Sequence, residues 1–173
     1  MLKRLETKSE RNFRKLVVVL NEVAKDNAMP VIVSTHLRTQ NRVNNGDVTF
    51  HPMVRLLKPL GFHDYVNLQM NAKAVLSDSG TITEESSILN FPAVNLRETH
   101  KRSEGVAEDS VMMVGLEVER VRRALAIRER QSRGDIRDLR LVGDYNSPNV
   151  SEKVLRIIHN YTDYVKRVVW KKY

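Results

Sequence analysis

Apolar positions near the start of the chain recur at spacings of three and four: Phe13, Leu16, Leu20 and Val23. That period predicts an amphipathic helix over 9–27, which Ser9 can cap. The pattern then changes. Pro30 to Thr35 reads PVIVST, an apolar, β-branched run that predicts a buried strand. Residues 39–50 are polar, and Asn44-Asn45-Gly46-Asp47 marks a loop. Val54 to Lys58 predicts a second strand, stopped by Pro59, and Asp64 to Ala72 a short helix. Ala74 to Ser77 is a third strand. A Ser-Gly turn follows it and opens a helix read over Glu84 to Leu89. Ala93 to Leu96 and Val111 to Val114 are the fourth and fifth strands, separated by a charged loop over 97–109. A long helix starts near Glu117 and frays in the Arg-rich stretch before Gly134. After a loop over 141–150, Ser151 is the expected cap of a final helix reaching about Trp170. Val154, Ile157, Ile158, Tyr161, Val165, Val168 and Val169 give that helix a broad apolar face.

Strands alternating with helices predict an α/β fold built on a doubly wound, parallel, Rossmann-like sheet. In such sheets ligands sit outside the carboxyl ends of the strands. His36, Ser79 and the segment Arg97 to Arg102 each follow a strand directly, so they are expected on one edge. The turn Ser77-Asp78-Ser79-Gly80-Thr81 feeds small residues from a strand into a helix start. The free N–H groups of a first helical turn and the helix dipole favour an anion there. Gly80 permits close backbone approach, and the Ser79 and Thr81 hydroxyls add donors. Ser-Gly before a helix is also ordinary capping. The residues alone leave both readings open.

Composition narrows the partners. The chain has 173 residues, 41% of them hydrophobic and 29% charged, as in ordinary globular proteins, with enough length for a substantial core. No apolar run has the length of a membrane helix, and no signal-peptide pattern is evident, so no membrane partner is expected. The absence of cysteine excludes disulfides and thiolate chemistry and fits a cytoplasmic protein. The net charge is +8, with arginines gathered from Arg120 to Arg140. Glu117, Glu119, Glu129, Asp135 and Asp138 interrupt them, which argues against a phosphate-backbone stripe, and no nucleic-acid module is visible. His51, His63, His100 and His159 lack metal-ligand spacing, so no metal is expected.

Segment 74–105 strongly resembles the non-hydrolysing UDP-N-acetylglucosamine 2-epimerase family. It shares Asp78-Ser79-Gly80, Glu84-Glu85, the strand Ala93 to Arg97 and the loop Lys101-Arg102-Ser103-Glu104, which stands for a Glu-Arg-Pro-Glu-type loop. Lys58 to Tyr65, Tyr161 to Tyr164 and Val168 to Trp170 resemble the branch that forms UDP-N-acetyl-L-fucosamine for capsule and O-antigen. The resemblance runs from about residue 7 to 173. It implies the C-terminal domain of a glycosyltransferase-B type fold, with 1–150 a UDP-binding Rossmann-like domain truncated on its N-terminal side. Residues 151–173 would be a helix crossing to the missing domain. Met1 to Glu6 stand where the family carries a His-Arg-Glu-Glu-Asn-like motif, and the family's acid/base carboxylates belong to the absent half. No catalytic residue is therefore assigned to this chain.

The resemblance also implies a substrate site. Ser79, Gly80 and Thr81 would meet the diphosphate, although Thr81 replaces a second glycine. Glu85 would accept hydrogen bonds from the ribose hydroxyls, and Glu84 would be structural. Arg102 would contact the nucleotide sugar, a role suited to a bidentate and permanently charged guanidinium. Tyr65 would pack on the uracil, and the Leu60 backbone would pair with the uracil edge. His36, beside Arg38, is structural or at the edge of the site. No cofactor or metal is implied. The expected partners are a UDP-N-acetylhexosamine and either a separate N-terminal half or a second copy in a homodimer. The alternatives are a non-catalytic UDP-sugar-binding fragment and a glycosyltransferase donor domain.

Overall fold

The computed structural model of the chain describes residues 2–3, 10–35, 43, 48–97 and 111–172. It separates into two compact units, Met1–Val142 and Gly143–Tyr173.

The first unit is built on six parallel strands: β1 (Leu2–Lys3), β2 (Val31–Ser34), β3 (Val54–Leu57), β4 (Val75–Ser77), β5 (Ala93–Asn95) and β6 (Met112–Met113). Their spatial order is β3-β2-β1-β4-β5-β6, with every pair parallel. This is the Rossmann order, in which the chain winds outward one way from β1 and then reverses at β4. The expected doubly wound α/β sheet is thus the observed one. The central strand β1 was not foreseen: Leu2-Lys3 is too short to show alternation or an apolar run. Pairing on both sides makes it a strand, Leu2 opposite Val33 on β2 and opposite Leu76 on β4.

Parallel strands need crossovers, and the crossovers cover both faces. Helix α1 (Glu10–Asn27) buries Phe13, Leu16, Val17, Val19, Leu20 and Ala24. Each fully buried aliphatic or aromatic side chain of this kind contributes about 1.5–3 kcal/mol. Helix α4 (Val118–Arg128) packs beside α1 and adds Val121 and Ala124 to the same core with Val33, Leu76, Val94 and Val114. Arg122 joins these two helices from outside by donating to Glu22 at 2.6 Å and Asp26 at 2.6 Å. The other face carries α2 (Phe62–Asn71) and α3 (Thr81–Leu89). There Val75, Ile82, Phe91, Ala93 and Val111 form a second core. The alternation of Val75 with Leu76, and of Ala93 with Val94, sends neighbouring side chains to opposite cores.

Helix boundaries depart from expectation in three places. Helix α2 starts at Phe62 rather than Asp64, with Gly61 as its N-cap, so Asp64 lies in the first turn, where the dipole favours its carboxylate. Helix α3 starts at Thr81 rather than Glu84, because Gly80 already has helical dihedrals, φ −66° and ψ −27°. Helix α4 ends at Arg128, within the Arg-rich stretch before Gly134, as expected. In the second unit, α5 (Val150–Tyr164) takes Asn149 as its N-cap, with no side-chain cap bond, so Ser151 lies inside the first turn. A π-helical turn over Val165–Val169 follows it. The apolar row of α5 stands exposed, Ile157 at 57% and Tyr161 at 56%. The expected cap Ser9 lies outside the described residues.

Helix α3 ends at Asn90, whose left-handed conformation (φ 51°, ψ 60°) turns the chain into β5. The buried Asn90 side chain donates to the Gly134 carbonyl at 2.9 Å and the Ile136 carbonyl at 2.6 Å. It thereby fixes the segment after α4 against the end of α3. Asn90→Ala loses both bonds and strains the left-handed backbone, an expected cost of about 3 kcal/mol. Asn90→Gly restores only the backbone part. Urea denaturation of the two variants beside wild type checks the ordering, and equal stability of all three would contradict it.

Candidate functional site at the carboxyl edge of the sheet

The strand order places the point of reversal between β1 and β4, which is where open α/β sheets form their ligand crevice. The turn leaving β4 there is Ser77-Asp78-Ser79-Gly80, and α3 starts immediately after it. Sequence and topology therefore select the same turn.

Hydrogen bonds within the turn set its shape. The Ser79 N–H donates to the buried Ser77 hydroxyl at 3.1 Å. The Ser79 and Thr81 hydroxyls share a hydrogen bond of 2.9 Å, and the Thr81 N–H donates weakly to Ser79 Oγ at 3.4 Å. The N-cap position itself is Gly80, and no side-chain cap bond is made there. Ser79, one residue earlier, makes a capping-type contact through its hydroxyl with the Thr81 N–H. The dihedrals at Gly80 suit any residue, so the glycine is not needed for backbone conformation; what a missing Cβ still provides is room for close approach.

β5 supports the turn from the side. The Leu96 N–H donates to the Ser77 carbonyl at 2.8 Å. Asn95, buried at the strand end, donates weakly through Nδ2 to the Ser79 carbonyl at 3.4 Å and accepts the Arg97 N–H at 2.9 Å through Oδ1. One side chain therefore links the turn to the loop leaving β5. Asn95 was missed in the sequence, where it stands as one polar residue inside an apolar run.

Glu85 lies one helical turn beyond Thr81 and is half-buried. Its Oε2 accepts from Gln69 Nε2 of α2 at 2.7 Å, and the Tyr65 hydroxyl lies 3.4 Å from the same oxygen. Gln69 Nε2 also donates to the Tyr65 hydroxyl at 2.9 Å. Burial, then the charge of Glu85 and its hydrogen bond, push the Tyr65 phenol far above its ordinary pKa of 10.0, so it stays a neutral donor. The structure thus brings Tyr65 and Glu85 together, with the fully buried Gln69 between them. Gln69 was also missed: a glutamine in a helix reads as surface until its partner sixteen residues away is known.

Leu60 is half-buried in the loop between β3 and α2, on the same edge of the sheet. Among the described residues, no hydrogen bond joins it to the Ser79 turn. Arg102, Lys101, Ser103, Glu104, His36 and Arg38 lie outside the described residues. Among the described residues, no group of His, Asp or Glu could hold a metal ion, and no helix is long and apolar enough to cross a membrane.

Nucleotide-binding Rossmann-type domains place a phosphate-binding turn at such a point of reversal. Residues 1–159 match the family model described as UDP-N-acetylglucosamine 2-epimerase, and the chain belongs to that family of isomerases. A UDP-N-acetylglucosamine 2-epimerase of Methanococcus maripaludis is 30% identical over 111 residues, covering 62% of this chain and 30% of that protein. The solved structure of a UDP-N-acetylglucosamine 2-epimerase from Rickettsia bellii is 40% identical, with a TM-score of 0.85 over 99% of this chain and 46% of that one. The enzyme from Methanocaldococcus jannaschii, solved in complex with UDP-GlcNAc and UDP, is 24% identical with a TM-score of 0.79, a likeness of fold. It is covered over 44% of its length. The chain therefore spans less than half the length of each of these relatives.

Gln69→Leu keeps the volume near Glu85 and removes the amide donor. The half-buried carboxylate then loses its 2.7 Å bond, a cost of about 1–3 kcal/mol. A lower urea midpoint with an unchanged slope is the expected result. Wild-type stability in the leucine variant would show that the amide does not hold Glu85.

Proposed function

We propose that this chain is the UDP-sugar-binding half of a UDP-N-acetylhexosamine 2-epimerase, corresponding to the C-terminal half of its longer relatives. The observation that carries the reading is the Ser77–Thr81 turn at the reversal point, with Glu85 held one helical turn beyond it.

In this reading Ser79, Gly80 and Thr81 face the diphosphate with N–H and hydroxyl donors, aided by the dipole of α3. Glu85 accepts from the vicinal ribose hydroxyls, a task for which a carboxylate has spare lone pairs. Tyr65 and the Leu60 backbone flank the uracil, and Arg102 contacts the nucleotide sugar. The complex of the Methanocaldococcus relative with UDP-GlcNAc and UDP supports the ligand class.

The reaction inverts C2 by way of elimination and re-addition of UDP. Removing and restoring the C2 proton needs positioned acid and base groups, which the N-terminal half supplies. The apolar face of α5 is the surface that would meet that half. The wording at Lys58–Tyr65 and Tyr161–Tyr164 supports the fucosamine-forming branch, a cytoplasmic step in surface-polysaccharide precursor synthesis. No metal or cofactor takes part.

Calorimetric titration of the chain with UDP tests the proposal. Saturable wild-type binding is expected, weakened about tenfold or more in Glu85→Ala, as for loss of a hydrogen bond to a charged group worth ~1.5–3 kcal/mol. Arg102→Ala is expected to weaken it similarly. A folded wild-type chain that takes up no UDP would contradict a self-sufficient nucleotide half.

A further inference from the structure

Helix α2 packs through a polar residue. Of Phe62–Asn71, Gln69 is the one that is buried, and its burial is complete. An amide taken out of water costs free energy unless hydrogen bonds offset it. Gln69 Nε2 makes two, to Glu85 Oε2 at 2.7 Å and to the Tyr65 hydroxyl at 2.9 Å. Gln69 Oε1 is buried and meets no donor among the described residues. Reversing the amide would not relieve this, because Oε1 would then lie against the Glu85 carboxylate, acceptor against acceptor. The amide is therefore committed to its two donor contacts even though its own oxygen goes unmet.

The three side chains form a closed set. Tyr65 and Gln69 stand four residues apart, on one face of α2. The Tyr65 hydroxyl lies 3.4 Å from the same Glu85 oxygen. Burial and the Glu85 charge keep that phenol protonated. Both groups that α2 presents to Oε2 are thus donors, and together they restrain the carboxylate from turning.

We infer that Gln69 is a positioning residue that makes the site select ribose over 2′-deoxyribose. The inference rests on the reading of Glu85 as the acceptor of the ribose hydroxyls. A carboxylate has about four lone-pair sites, so bonds from α2 at Oε2 are compatible with bonds from vicinal hydroxyls. A site built to hydrogen-bond a hydroxyl rejects the analogue that lacks it, because a polar group is then left unmet in a partly buried place. That penalty depends on restraint. A glutamate free to turn reaches water or the remaining 3′ hydroxyl, and the two sugars then bind nearly alike. A glutamate held by Gln69 has no such exit.

The test measures the affinity of the chain for UDP and for 2′-deoxy-UDP by calorimetry. Wild type is expected to prefer UDP about tenfold or more, as for one hydrogen bond to a charged group. Gln69→Leu is expected to reduce the preference to about threefold or less, because the released carboxylate can turn. A purely structural amide would weaken both ligands by one common factor, and an unchanged ratio in a folded variant would overturn the inference. If circular dichroism shows that the leucine variant does not fold, Gln69→Met takes its place. The wild-type chain gives an independent readout: the Gln69 side-chain amide resonances are expected to shift on saturation with UDP and to shift less with 2′-deoxy-UDP. Equal shifts with the two nucleotides would overturn the inference. Equal wild-type affinity for both would overturn the selectivity and leave the nucleotide site standing. A folded wild-type chain that binds neither removes the site, and the inference with it.

Discussion

β4 is hydrogen-bonded on both sides, to β1 through Leu76 and Ser77 and to β5 through Val75, Leu76 and Ser77. Because both pairings are parallel, the chain must leave β4 at the same edge at which β1 and β5 end. It must also return by a helix on one face. Ser77 to Thr81 therefore has no freedom to lie elsewhere: it is the turn at the point where the winding reverses, and α3 starts at its far end. Two cores hold this arrangement, one behind Leu76 and Val94 and one behind Val75 and Ala93. A residue change that disturbs either core acts on the site through β4.

The position of Glu85 rests on a different kind of contact. α3 and α2 lie side by side, and a single amide, Gln69 Nε2, reaches both the Glu85 carboxylate and the Tyr65 hydroxyl. Burial raises the strength of such bonds as it removes competing water. The Tyr65 phenol, held protonated by burial and by the Glu85 charge, adds a second donor group near the same oxygen. The carboxylate is thus held in one orientation by donors from the neighbouring helix.

Much of this was legible in the amino-acid sequence. The runs PVIVST, AVLS and AVNL are largely β-branched or apolar, and each contains a strand. The Asp78-Ser79-Gly80 turn was legible because both its chemistry and its strand–helix setting are local. What was not legible depends on distant partners. Leu2-Lys3 has no strand character of its own and gains it from Val33 and Leu76. Gln69 and Asn95 are buried polar side chains whose partners lie sixteen residues away. The start of α3 was placed too late because Gly80 was read as a turn residue, whereas its dihedrals already begin the helix.

The most direct measurement is a nuclear magnetic resonance titration of the amide signals with UDP. The account predicts shifts concentrated at Ser79, Gly80, Thr81 and Glu85, with smaller ones at Tyr65 and Gln69, while amides at the opposite edge, such as Ile32, stay fixed. Shifts centred on the amino edge of the sheet, or on α5, with the Ser79 turn unmoved would contradict it.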